Sequence, residues 1–238
     1  MNASVVKQAT WFVVLMSALL AALATGWMLH KPVDYGYGFW YDQMDIGGHI
    51  DKYGPKNRYI RGFDDLSREQ HLALFGGIVE AVHNQGKGLA ELEFTDSRGR
   101  TKPLLRNPEI VHLQDVANLI DVLSVAGAVS LLIAAIGTFM LIRRRIPIQW
   151  KQQGLLLGGL LGAVALVLLI AGPKTVFYQL HVWIFPDDHQ WFFYYQESLM
   201  STMMKAPDLF GGIGATIALV GLLLFSLYLL IVRRLLGR

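Results

Sequence analysis

Four uncharged apolar runs constrain this chain more than anything else in it: Thr10–Leu29, Val122–Ile142, Gly154–Ala171 and Ile213–Val232. A helix needs roughly 20 apolar residues to cross the hydrocarbon core of a bilayer. Where water is absent, only helices and closed barrels satisfy every backbone group. Barrel strands alternate apolar and polar residues, and these runs do not. The chain is therefore expected to be an all-α membrane protein: four transmembrane helices, a small mixed extracytoplasmic domain and an interfacial amphipathic helix. Composition agrees, with 53% hydrophobic and 16% charged residues, against about 25% charged in a soluble domain.

The charges set the orientation. Lys7, Arg143, Arg144, Arg145, Lys151, Arg233, Arg234 and Arg238 flank the runs on one side, and no acidic residue accompanies them. All 18 acidic residues lie in 29–121 and 172–208. Short basic segments stay in the cytoplasm, so both termini and the 143–153 loop are expected inside. The net charge of +3 reflects this topology and gives no reason to expect nucleic acid as a partner. The expected segments are 1–29 (N-terminus and first span), 30–108 (extracytoplasmic domain), 109–142 (second span with an outer extension), 154–171 (third span), 172–208 (aromatic outer-leaflet loop) and 209–238 (fourth span and C-terminus). Ala22-Leu23-Ala24 resembles a signal-cleavage site. With Lys7 as the only preceding basic residue, the first run is instead expected to remain as an anchor. The absence of cysteine excludes disulfides, thiolate metal ligands and a cysteine nucleophile.

Outside the spans, residues 34–62 are rich in glycine and aromatics and are expected to form irregular or short-stranded turns. Ser67 and Gln70 form a capping box ahead of a helical pattern through Val82, with Gly86 suited to its end. Residues 90–105 read as strand, turn at Asp96–Gly99, and strand. Pro108 suits the first turn of a helix leading straight into the second span. Gly154, Gly158 and Gly162 offer a flat stripe for helix packing. Residues 191–205 are expected to lie in the outer interface as an amphipathic helix.

Two places could carry chemistry. His112 and Asp115 stand three apart, on one face of the helix entering the second span. His181, Asp187, Asp188, His189 and Glu197 lie among seven aromatic rings in 179–200. Taken alone, His112 and Asp115 read equally as a hydrated helix mouth with a structural ion pair, and each group in 179–200 reads first as an interface anchor. Ionisable groups at membrane depth are costly, however, and therefore functional candidates, and a bundle could bring His112 and His181 together at its outer mouth. A carboxylate beside an imidazole fixes its tautomer, a role open to Asp115 towards His112. His112, Asp115, His181 and His189 could also form a metal site, although their spacing matches no known zinc pattern. No serine-hydrolase elbow, metalloprotease motif or phosphate loop is present.

At these two segments the chain resembles the bacterial lipoprotein intramolecular transacylase family (Lit). Glu109, His112, Asp115 and Val116 fit its E-x-x-H-x-x-D-V pattern, and His181, Phe185, Trp191, Ser198, Pro207 and Phe210 follow its second segment in order. The resemblance implies an acyltransferase in the cytoplasmic (inner) membrane of a bacterium, with its site on the outer face. Its substrate would be a diacylglyceryl-modified lipoprotein seated in membrane lipid. One acyl chain would move from the glyceryl ester to the α-amine of the N-terminal cysteine, giving an N-acyl lyso-form. It implies His112, His181 and Asp115 as catalytic, and Glu109, Trp191 and Phe185 as substrate-binding. No metal or cofactor is expected, and the chain is expected to act as a monomer. The alternatives are a non-catalytic lipid- or lipoprotein-binding scaffold, or a membrane metal site.

Overall fold

The computed structural model describes residues 3–237; Arg238, counted above among the inside charges, lies outside them. Four helices are long and apolar enough to cross a membrane: α1 (Ala3–His30), α5 (Asn107–Arg143), α6 (Trp150–Ala171) and α9 (Asp208–Leu236). The chain divides into two units. One contains the segments ending at Leu29, spanning Leu123–Pro173 and beginning at Ala215. The other contains His30–Val122 and Lys174–Gly214.

In the first unit, Leu15, Ala18, Leu19, Ala134, Leu157 and Phe225 form one buried cluster, and Trp11, Val14, Leu141 and Val232 form another. The α1–α9 crossing depends on small residues. A Cβ at Gly26 would stand 3.1 Å from the Ile217 carbonyl, and one at Gly221 would stand 3.0 Å from Leu23 Cα. Side chains seal the end bearing the 143–149 loop: Gln8 Nε2 donates to the Pro147 carbonyl, Gln153 Nε2 to the Gln8 carbonyl, and Trp11 Nε1 to the Ile146 carbonyl. Elsewhere the surface is apolar, as lipid contact requires; Leu155, Leu169 and Ile170 are largely exposed. The glycine stripe differs from expectation. A Cβ at Gly154, Gly158 or Gly162 would meet nothing within 4 Å, so among the described residues no neighbour packs against those glycines.

The second unit is more helical than expected. Residues 34–62 contain α2 (Tyr37–Gln43) and α3 (Ile46–Tyr53) where turns were anticipated. The glycines and aromatics mark the breaks and the packing, not an absence of helix. Asp34, Tyr35, Gly36 and Asp45 adopt positive φ and separate the pieces. The aromatics anchor them: Tyr37 stacks on Phe75 at 3.9 Å and donates its hydroxyl to the Met203 carbonyl. α4 (Arg68–Val82) starts at the expected Ser67–Gln70 capping box and packs on this group. His71 is a satisfied core histidine: Nε2 donates to the Phe63 carbonyl, which leaves Nδ1 to accept from the Tyr41 hydroxyl. β1 (Glu93–Thr95) and β2 (Thr101–Pro103) form the expected antiparallel hairpin, with Phe94 opposite Lys102. Asp96 closes its turn by accepting from the Arg98 and Arg100 amides while pairing with Arg100 and Lys102.

The 172–208 segment also departs from expectation. Gly172 (φ 78°) ends α6, and Pro173 opens α7 (Pro173–Ile184). The helix presenting apolar residues outward is α7, through Leu180, Val182, Trp183 and Ile184. Residues 191–198 are irregular and turned, and the helix that follows, α8 (Leu199–Met204), is buried along its whole length. Proline at the first helical position, where the missing N–H costs nothing, is the signal that favours α7.

Candidate functional site

All of the residues singled out for chemistry lie in the second unit. The N-terminal end of α5 carries Glu109, His112 and Asp115 at intervals of three, so they climb one side of the helix at about 4.5 Å per step. α7 supplies His181, and the irregular stretch after it supplies Phe185, His189 and Trp191. The two histidine rings lie 6.0 Å apart, centre to centre, and are tilted by 34°. Residues 69 positions apart in sequence thus share one wall.

Rings surround the pair. Phe185 stands edge-on to His112 at 4.9 Å and lies 5.1 Å from His181. Trp191 lies 5.1 Å and Phe177 4.1 Å from His181, and Phe193 lies 6.1 Å from His112. The setting is apolar with a few convergent polar atoms, the general make-up of a ligand site.

The two imidazoles are not equivalent. His181 Nδ1 lies 2.8 Å from the Phe177 carbonyl, one turn back on α7. A carbonyl can only accept, so Nδ1 carries the hydrogen. The neutral ring therefore has its lone pair on Nε2. Burial pushes the His181 pKa below the ordinary imidazole value, and the Phe177 carbonyl partly opposes this. His181 is thus held neutral and able to accept a proton. His112 is 7% exposed, and its Nδ1 is buried without a hydrogen-bond partner among the described residues. Leaving such an atom unsatisfied costs about 1–3 kcal/mol, which a substrate oxygen or N–H at that point would recover.

Asp115 does not orient His112 through a hydrogen bond, as had been expected. Its Oδ2 lies 2.7 Å from Nδ1 of His189. The shared helical face brings Asp115 near His112, but the carboxylate reaches away to the loop. Glu109 is fully buried and tied down. It accepts from the Ser198 hydroxyl at 2.5 Å and from the Arg106 amide at 2.8 Å, and pairs with the Arg106 guanidinium. Ser198 caps α8 by accepting from the Ser201 amide. Glu109 therefore locks the start of α5 to α8 and has little capacity left for a substrate.

Sequence reasoning missed three contributors: Phe177, Phe193 and the His189–Asp115 pair. Phe177 lies four before His181, a spacing that would have been informative had α7 been recognised. Among the described residues, no group of three or more His, Cys, Asp or Glu is gathered as a metal ion would need. A separate hollow of about 810 Å³ lies beside the hairpin, lined by Tyr59, Arg61, Asp64, Arg98 and Lys102. It excludes both histidines, whose claim to be the site rests on chemistry and not on volume.

Residues 61–206 match the family model described as lipoprotein intramolecular transacylase Lit. No curated protein matches the chain. Among solved structures, the chain is similar to the membrane integral lipoprotein intramolecular transacylase Lit from Bacillus cereus. The form carrying a histidine-to-arginine mutation is 19% identical with a TM-score of 0.67, covering 98% of this chain and 92% of that one. A second structure is 17% identical with a TM-score of 0.66, covering 96% and 97%. A form with a histidine-to-alanine mutation is 18% identical with a TM-score of 0.65, covering 96% and 94%. At these identities the likeness establishes the fold.

Proposed function

The chain belongs to the Lit family of lipoprotein intramolecular transacylases, and from that premise we propose that His112 and His181 form its catalytic pair. The observation that carries this reading is the approach of the two rings to 6.0 Å within an aromatic enclosure. The substrate is a lipoprotein whose N-terminal cysteine bears a diacylglyceryl group and a free α-amine. That amine, with a pKa of about 8, must be neutral to attack. Its nitrogen adds to the carbonyl carbon of a glyceryl ester while His181 Nε2 takes a proton from it. The tetrahedral oxyanion accepts a hydrogen bond from His112. As the C–O bond breaks, the His181 imidazolium returns its proton to the departing glyceryl oxygen. The products are an amide at the cysteine nitrogen and a free glyceryl hydroxyl, and no proton is gained or lost overall.

No enzyme nucleophile is required, because amine and ester belong to one molecule. Holding them together can supply up to about 7–11 kcal/mol of the barrier. This suits a chain without cysteine and with Ser198 engaged in a cap and a bond to Glu109. Phe185 and Trp191 form the wall for the acyl chains, and Glu109 acts by anchoring α5. On this reading the enzyme works as a monomer in the bacterial cytoplasmic membrane, with both termini inside and the histidines at the outer face; the basic residues that flank the spans on one side support that orientation.

The test is expression with a diacyl lipoprotein and mass spectrometry of its N-terminal peptide. The wild-type chain should yield the N-acyl lyso-form. His112→Ala and His181→Ala should each lower transfer by about 100-fold or more, the usual scale for loss of acid–base catalysis. Near-wild-type transfer by both variants would refute the assignment.

A further inference from the structure

The mechanism above leaves one polar pair unused. His189 Nδ1 and Asp115 Oδ2 lie 2.7 Å apart, with the histidine side chain 36% exposed and the carboxylate 14%. Asp115 sits one turn beyond His112 on α5. His189 sits midway along residues 185–193, a stretch without regular secondary structure beyond turns. That stretch supplies three of the rings around the catalytic pair. Phe185 touches both histidines, Trp191 touches His181 and Phe193 touches His112. No backbone ladder holds these rings in place. Among the described residues, His189–Asp115 is the ion pair joining this stretch to the helix that carries His112.

We infer that His189 is a positioning residue for the transfer: through Asp115 it pins the 185–193 strap to α5 and so holds Phe185, Trp191 and Phe193 against the histidine pair. This rests on the reading of His112 and His181 as the catalytic pair. A charge-assisted bond of this kind is roughly twice as strong as a neutral one, so the strap is firmest when His189 is protonated. The charged groups acting on His189 are both acidic: Asp115 from α5 and Asp188 in its own turn. The hydrogen bond to Asp115, more than any other influence, raises the His189 pKa above the ordinary imidazole value. The sign follows. The clasp is complete below about pH 6.5 and loosens as pH rises through the raised value. The substrate amine changes in the opposite sense, becoming more reactive as pH rises towards 8, so an alkaline fall in activity cannot come from the amine.

The experiment uses the full chain in lipid–detergent micelles with a synthetic diacylated lipopeptide. It records kcat and KM against pH for wild type, His189→Gln and Asp115→Asn, alongside a histidine NMR titration of the wild-type protein. Wild type should lose kcat/KM on its alkaline side. H189Q should sit about 10- to 100-fold lower near neutrality, the scale of a small misplacement of catalytic groups, and lack the alkaline fall. D115N keeps a hydrogen-bond acceptor but not the charge, so its alkaline fall should move to lower pH. A merely structural role would leave that limb unmoved. Wild-type profiles and KM in both variants would overturn the inference, as would a wild-type His189 that titrates at or below the ordinary value, whether or not the variants fold. Absence of any acyl transfer by wild type would instead count against the catalytic reading.

Discussion

Ser198→Ala tests how α5 is anchored beside His112 and His181. The hydroxyl has two roles in a fully buried position. It accepts from the Ser201 amide at 2.8 Å, capping α8, and donates to Glu109 Oε1 at 2.5 Å. Loss of a side-chain cap costs about 1 kcal/mol. Loss of a hydrogen bond to a charged, buried acceptor costs about 1.5–3 kcal/mol. The sum, roughly 2.5–4 kcal/mol, corresponds to an apparent melting temperature lower by roughly 5–15 °C for a chain of this size. The two contributions can be separated. Glycine serves as an N-cap nearly as well as serine, losing a few tenths of a kcal/mol. Ser198→Gly should therefore lose mainly the Glu109 bond and melt above S198A, while Ser198→Thr keeps both interactions. Intrinsic tryptophan fluorescence of the full chain in detergent, recorded on heating, reads the shift. An S198A melting point within about 2 °C of wild type, below even the cap contribution, would refute the reasoning. So would an S198G variant that melts no higher than S198A.

Two further outcomes follow from charge. His181 must be neutral to accept a proton, and burial lowers its pKa. The plot of log kcat/KM against pH should therefore steepen only below about 6.5; steepening that begins above that value would refute His181 as the base. Asp96 is held well below the usual carboxylate range, first by Lys102 and then by Arg100. Its support for the hairpin should be complete above about pH 3.9, the unfolded carboxylate value, and be lost as pH falls through the lowered one. Asp96→Asn should speed amide exchange at Arg98 and Arg100 at neutral pH, and unchanged protection there would show that the turn closes without the charge.

The parts of this fold that were legible in the sequence are those set by local chemistry. The spans follow from uninterrupted apolar runs, α4 from its capping box, the hairpin from its turn residues and α5 from Pro108. What escaped depends on tertiary partners. α2 holds because Tyr37 finds Phe75 and Met203, and no window of glycines and aromatics discloses that. The 191–205 stretch has helical amphipathicity, yet its apolar side chains are drawn in opposite directions, Phe193 towards His112 and Met203 into the core. The meeting of His112 with His181 could be anticipated because both were expected at the same end of their spans. The partner of Asp115 could not, since spacing along α5 ranks His112 first and says nothing of a loop residue 74 positions away. The open glycine stripe on α6 carries the same lesson: small residues permit close approach but do not guarantee a neighbour.

The bond from His181 Nδ1 to the Phe177 carbonyl has an evolutionary consequence. The acceptor is main chain, common to every residue that could occupy position 177 on α7. Substitution there can strip away the ring beside His181, but it leaves in place the oxygen that decides which nitrogen bears the hydrogen. The hydrogen's address is written in the one part of the polypeptide that point mutation cannot edit. Drift in the surrounding aromatic wall can therefore reshape the space around His181 while the same ring nitrogen keeps the hydrogen.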